Sequence, residues 1–260
     1  MSTYLSPQIN ITDAICRKLA PIYRREFGEV ERMQSKGDGA REEALEALKK
    51  LELFAAKEIK KAYPSTPIVI RDLAPIPDKG SCWALHMTGG VDNFMHGLSP
   101  VCMMFLFIKD GIPFSAVVYY PIEDEMYTIE KGTSGSGPVY RLRVNAAKEL
   151  TTSSIVNLWS SPTRRGDSTG MSYVEHIQRE AFGLRITGNA IHDILQFASG
   201  KIDGFIGEHL APEINLFADL VTKESSGVVT DKDGDAVTKE SEMIVASNLN
   251  CHKTLLGFVQ

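Results

Sequence analysis

The chain has no basic excess. Its 28 lysines and arginines are outnumbered by 33 aspartates and glutamates, which gives a net charge of −5. That balance argues against a general nucleic-acid binder, which needs a positive surface to meet the phosphate backbone. Cysteine is scarce: Cys16, Cys82, Cys102 and Cys251 lie far apart, and none forms a C-x-x-C pair. Zinc ribbons and thioredoxin-type redox sites are therefore not expected, and a reduced, cytoplasmic setting fits best. Long apolar runs are also missing. The longest lies around residues 101–108, far short of the ~20 residues that span a bilayer. The first ten residues, MSTYLSPQIN, carry no basic head followed by an apolar stretch, so no signal peptide is expected.

What is present suffices for a core. The 260 residues are 43% apolar and 23% charged, enough for one large domain or two small ones. Residues 6–27 read as a helix, with Ile9, Ile11, Ile15, Leu19 and Ile22 at roughly helical spacing. Residues 37–63 read as a second, with Ala44, Leu45, Leu48, Leu51, Phe54, Ala55 and Ile59 on its apolar face and Pro64 at its end. After Pro100 the pattern turns to strands at 101–109 and 114–120. Asp110-Gly111 between them is a hairpin signal. Strands at 125–130 and 139–144 are expected to continue that sheet, with a loop at 132–138. Further on, strands are expected at 155–159, 184–186 and 205–206, and helices at 172–182, 190–198 and 214–224, with Gly200 closing the second. The class is mixed α and β, without internal repeats.

One segment carries most of the functional information. Residues 83–97 read WALHMTGGVDNFMHG. They resemble the pattern W-I-x-D-P-[IL]-D-G-T-T-N-F-x-H-G of the inositol monophosphatase family. Trp83, Gly90, Asn93, Phe94, His96 and Gly97 fall in place. Three further blocks occur in the right order: residues 111–132, 185–205 and 210–227. Together they extend the resemblance from about Arg25 to the C-terminus. It implies an α+β fold, a layered αβαβα sandwich, as a single domain over 1–260 with an N-terminal half at 1–150 and a C-terminal half at 151–260. It also implies a homodimer.

The family hydrolyses phosphate monoesters with magnesium, held by four carboxylates. Hard cations need such oxygen ligands, and the metal stabilises phosphoryl charge and activates water. Carried over position by position, those carboxylates fall on Arg71, His86, Gly89 and Ile214, and the Thr that follows the motif's Gly falls on Val91. A family-like site carries about −4 at these positions. Here they sum to about +1 with His neutral, so Mg²⁺ would be repelled rather than held. Asp72, Asp92, Glu208 and Glu213 are the nearby acids, each offset from the family position. An offset of one residue points a side chain elsewhere. No intact catalytic residue, no metal ligand and no cofactor is therefore expected. The expected role is a catalytically inactive pseudophosphatase that binds a protein or an anion. The alternative is an active Mg²⁺-dependent phosphomonoesterase with a relocated metal site. For the first reading, Arg71 with the backbone groups of Gly90 and Val91 forms a candidate metal-free anion pocket for phosphate.

Other features have plainer readings. Asp231, Asp233 and Asp235 look like a calcium loop, but Gly234 stands at the wrong position, so a polar turn between strands is expected. The Gly-rich residues 133–137 lack the helix start and Lys of a phosphate-binding loop. Met87, Met103 and Met104 read as core filler, and Cys82 and Cys102 as inert core residues. Packing or capping is expected for His96. The spacing of His176, His192, His209 and His252 suggests no metal ligands. Arg164 and Arg165 read as a polar loop. No membrane or direct nucleic-acid contact is expected.

Overall fold

Asp110 and Gly111 are both left-handed, at φ 51° and 72°, the geometry of a two-residue hairpin turn whose twist matches its strands. Around that turn a sheet is built. In the computed structural model the described residues are 6–33, 39–70, 75–151, 154–160, 172–179 and 183–260. They form two units, Met1–Glu130 and Lys131–Gln260. The halves read from the sequence meet at 150/151; the units meet at 130/131.

The first unit contains α1 (Pro7–Met33), α2 (Gly39–Ala62), β1 (Ile68–Ile70), β2 (Ser81–His86), α3 (Val91–Met95), β3 (Met103–Lys109), β4 (Ile112–Tyr120) and β5 (Glu125–Glu130). The strands lie in sequence order, β1-β2-β3-β4-β5. β1 runs parallel to β2 and the other pairs are antiparallel. The α1 stripe is Ile9, Ile15, Leu19, Tyr23, Phe27 and Val30. Its three- and four-residue steps past Tyr23 carry the helix to Met33, beyond the expected end at Phe27. In α2, Ala44, Leu48, Leu51, Ala55 and Ile59 are fully buried, whereas Leu45 is 41% exposed. Leu45 lies one residue, about 100° of rotation, off that stripe. These two helices pack with Trp83, Leu85, Phe94, Phe105 and Val117 in one core. Met87, Met103, Met104, Cys82 and Cys102 are all fully buried, as expected.

The second unit contains β6 (Ile155–Ser160), α4 (Ser172–Arg179), β7 (Gly183–Arg185), α5 (Ala190–Ala198), β8 (Gly204–Glu208), α6 (Pro212–Glu224), β9 (Val228–Asp231), β10 (Met243–Ser247) and α7 (His252–Gly257). Its sheet order is β7-β6-β8-β10-β9. β6 is parallel to both neighbours, and β10 is antiparallel to both of its own. Strand β10 and helix α7 are additions to the sequence reading.

The strand expected at 139–144 does not form. Only an isolated bridge joins Ser136 to Arg141. The segment's backbone groups are satisfied within the second unit instead. Leu142 N–H donates to Gly135 O (2.8 Å) and Val144 N–H to Ser225 O (3.0 Å). The Glu224 carboxylate accepts from the N–H groups of Gly132 (2.6 Å) and Ser134 (3.0 Å). A chain tied to the end of α6 cannot also add a strand beside β5, because each N–H makes one good bond. The turn at Asp231 is as expected. Its Oδ1 accepts from Asp233 N–H (3.0 Å) and Asp235 N–H (2.8 Å), between β9 and β10.

Candidate functional site

Trp83 to Gly97 runs from β2 through a turn into α3. Strand β2 pairs with β3 so that His86 lies opposite Met104. His86 is the last strand residue and only 7% exposed. The chain then turns. Gly89 N–H donates to Cys102 O (2.8 Å), and the buried Thr88 hydroxyl donates to Gly90 O (2.9 Å). Gly90 is the N-cap of α3, in an extended conformation (φ −133°, ψ 95°), and Phe94 N–H returns to its carbonyl (3.0 Å). Only five residues are helical.

The residues that match the family pattern hold this turn in place. Phe94 is fully buried, with ring centroids 5.4 Å from Tyr23 and 5.6 Å from Phe27 on α1. Asn93 is buried; its amide donates to Pro100 O (3.0 Å), and its carbonyl accepts from Leu98 N–H (2.8 Å). Gly97 has φ +64°, and a Cβ there would stand 3.0 Å from Glu31 Cα, so both conformation and space require glycine. His96 is exposed and supplies the C-cap backbone position of α3. These residues are architectural. The positions between them, His86, Gly89 and Val91, are where family chemistry would reside.

The other sequence-derived positions are distributed as follows. Arg71 and Asp72 lie outside the described residues, as do Arg164 and Arg165. Ile214 belongs to the second unit. It is the third residue of α6 and 6% exposed, its apolar side chain packed inward. Pro212 starts that helix, where a missing N–H costs nothing. Of the acids offset from those positions, Asp92 is exposed in the first turn of α3, whereas Glu208, ending β8, and Glu213, on α6, are buried. Among the described residues no group of three or more His, Cys, Asp or Glu is placed to hold a metal ion. The side chains at His86, Gly89, Val91 and Ile214 carry no carboxylate, the ligand type that magnesium favours. No helix among the described residues is long and apolar enough to cross a membrane.

The sequence reading missed one polar cluster. Asp193 on α5 is fully buried with Asn157 of β6 and Thr187 around it. Burial pushes its carboxyl up to about 7, against the two hydrogen bonds it accepts. A lone Asp amid apolar residues of a helix, in Ala190-Ile191-His192-Asp193-Ile194, was the available signal.

Comparisons with known proteins agree with this architecture. The profile of the Inositol monophosphatase family matches residues 5–259. An inositol-1-monophosphatase from Rhizobium meliloti (strain 1021) is 29% identical over 98% of this chain and 97% of its own length. Nus factor SuhB from Escherichia coli (strain K12) is 24% identical over 97% of this chain and 96% of its own. The crystal structure of the extragenic suppressor protein suhB from Bartonella henselae superposes with a TM-score of 0.83 at 23% identity, covering 98% of this chain and 99% of that one.

Proposed function

Because this chain belongs to the inositol monophosphatase family and yet carries Arg71, His86, Gly89 and Ile214 where the resemblance implies carboxylates, we propose that it is a pseudophosphatase that acts by binding. The observation that carries this reading is the chemistry of that donor set. One cation and three neutral side chains stand where a divalent ion needs about four negative charges. The buried Ile214 puts a hydrocarbon, which has no lone pair to donate, at the position of a ligand.

What it binds follows from the same substitutions. Arg71 brings a permanent charge able to grip phosphate in a bidentate manner, and the Gly90 and Val91 backbone would complete an anion pocket. The similarity to Nus factor SuhB supports a protein partner as the other occupant. A homodimer in the cytoplasm is the setting proposed for either. Inorganic phosphate titrated by calorimetry against wild type and Arg71→Ala separates the two. Heat lost in the variant supports the anion pocket; equal or absent heat in both removes it and leaves protein binding.

A second reading has its own support. The relative from Rhizobium meliloti is named an inositol-1-monophosphatase, and Asp92, Glu208 and Glu213 are carboxylates close in sequence to the lost positions. In that reading the chain is a phosphomonoesterase with a relocated metal site. The deciding experiment is Mg²⁺-dependent hydrolysis of inositol phosphate, fructose bisphosphate and an aryl phosphate, with Mg²⁺ calorimetry alongside. Absence of both turnover and metal heat supports the pseudophosphatase. Turnover that requires Mg²⁺ refutes it.

A further inference from the structure

Asp193 and Asn157 present a problem in hydrogen-bond accounting. The Asn157 amide donates from Nδ2 to Asp193 Oδ1 at 2.6 Å, and the Thr187 hydroxyl donates to the same oxygen at 2.8 Å. Thr187 is itself held by Asn189 N–H (3.2 Å), and Asn189 caps α5 through His192 N–H (3.0 Å). Two oxygens remain. Asp193 Oδ2 and Asn157 Oδ1 are both fully buried, and neither has a hydrogen-bond partner. Each is an acceptor if the carboxyl is ionised, so neither can satisfy the other. A buried acceptor without a donor is costly. Turning the Asn157 amide over does not remove the deficit. Its oxygen would then face Asp193 Oδ1 at 2.6 Å, a distance typical of O–H···O bonds. In either orientation one proton on the carboxyl supplies the missing donor.

We propose that Asp193 is a neutral carboxylic acid in the folded protein and donates its proton to Asn157, so that a paired acid–amide contact fastens α5 to β6 and is released by deprotonation. The pair joins the helix to β6, an interior strand of the second unit's sheet, and the Thr187–Asn189 relay ties the start of α5 into it. The charged groups on the elements packed against α5 are Glu208 on β8 and Glu213, Asp219, Lys223 and Glu224 on α6; Arg185 and Lys201 lie just outside its ends. The main influences on the carboxyl are burial, then Thr187 and Asn157. His192 beside it is pushed down to about 4, by burial first and by Lys201 second.

The two neighbours have opposite pH dependence. Asp193, raised to about 7, favours folding most below its unfolded value near 4 and loses that contribution as pH rises to about 7. His192, depressed to about 4, loses its contribution as pH falls from about 6.5 to 4. The wild-type profile alone therefore hides both, and the difference from Asp193→Asn isolates the first. Each pH unit in the window is about tenfold in the folding equilibrium.

The experiment is a carboxyl ¹³C NMR titration of the full chain labelled at aspartate, with urea unfolding of wild type and Asp193→Asn across pH 4–8. The expected result is one carboxyl titrating near pH 7, absent in the variant, and a wild-type advantage over the variant that shrinks from pH 4 to 7 and is level above. If Asp193→Asn does not fold, Thr187→Val assigns the resonance, because loss of a donor to the ionised form moves that titration upward. All aspartates titrating below pH 5, or a stability difference independent of pH, overturns the proposal.

Discussion

Phe94→Ala tests whether the motif residues around His86, Gly89 and Val91 are architectural. The ring is fully buried and stacks edge-on against Tyr23 at 5.4 Å and tilted against Phe27 at 5.6 Å. A Phe→Ala truncation in such a core costs about 3–5 kcal/mol, of which the two aromatic contacts carry about half at about 0.5–1.5 kcal/mol each. With a urea m-value of about 2 kcal/mol/M, the midpoint should fall by about 2 M. The chain has two tryptophans, Trp83 in the first unit and Trp159 in the second. Trp83 shares the core with Phe94 and lies 5.0 Å from Phe107. In a Trp159→Phe background, Trp83 fluorescence therefore reports the affected unit. A loss below about 1 kcal/mol in that transition would refute the packing account. It would mean that Tyr23 and Phe27 close the gap at little cost, against the usual behaviour of dense cores.

Three further outcomes are expected. Ten millimolar MgCl₂ should leave the thermal midpoint unmoved, whereas an intact site at 100-fold excess over Kd would add about 2.7 kcal/mol and raise Tm by about 5–10 °C in differential scanning fluorimetry. Restoring carboxylates together at Arg71, His86, Gly89 and Ile214 should create Mg²⁺ heat in calorimetry, while each single restoration creates little, because ligands act as a unit. Gly200→Ala should destabilise the second unit by about 2–4 kcal/mol, read from Trp159 fluorescence in urea. Gly200 sits at φ +71°, and an added Cβ would stand 2.8 Å from Arg143 O, a backbone atom that cannot swing away.

The family and the α+β class were legible in the sequence through the resemblance of four ordered blocks to the inositol monophosphatase pattern. The sequence also determined the hairpin at Asp110-Gly111 and both long helices, whose signals are local: two left-handed residues, and stripes at helical spacing. The residue types at Arg71, His86, Gly89 and Ile214 were legible too, since the lack of a carboxylate is a property of the residue and needs no fold. Tertiary structure decided what depends on distant partners. Residues 139–144 have strand-like composition, but Leu142 and Val144 spend their N–H groups on Gly135 and Ser225. Leu45 is apolar but turned from the core by one residue's rotation. Asp193 meets Asn157 across 36 residues of chain, and neither letter signals the other. A hydrogen bond between remote side chains leaves no periodicity, so its energetic consequence, a proton held on a buried acid, became visible only once the helix was laid against the strand.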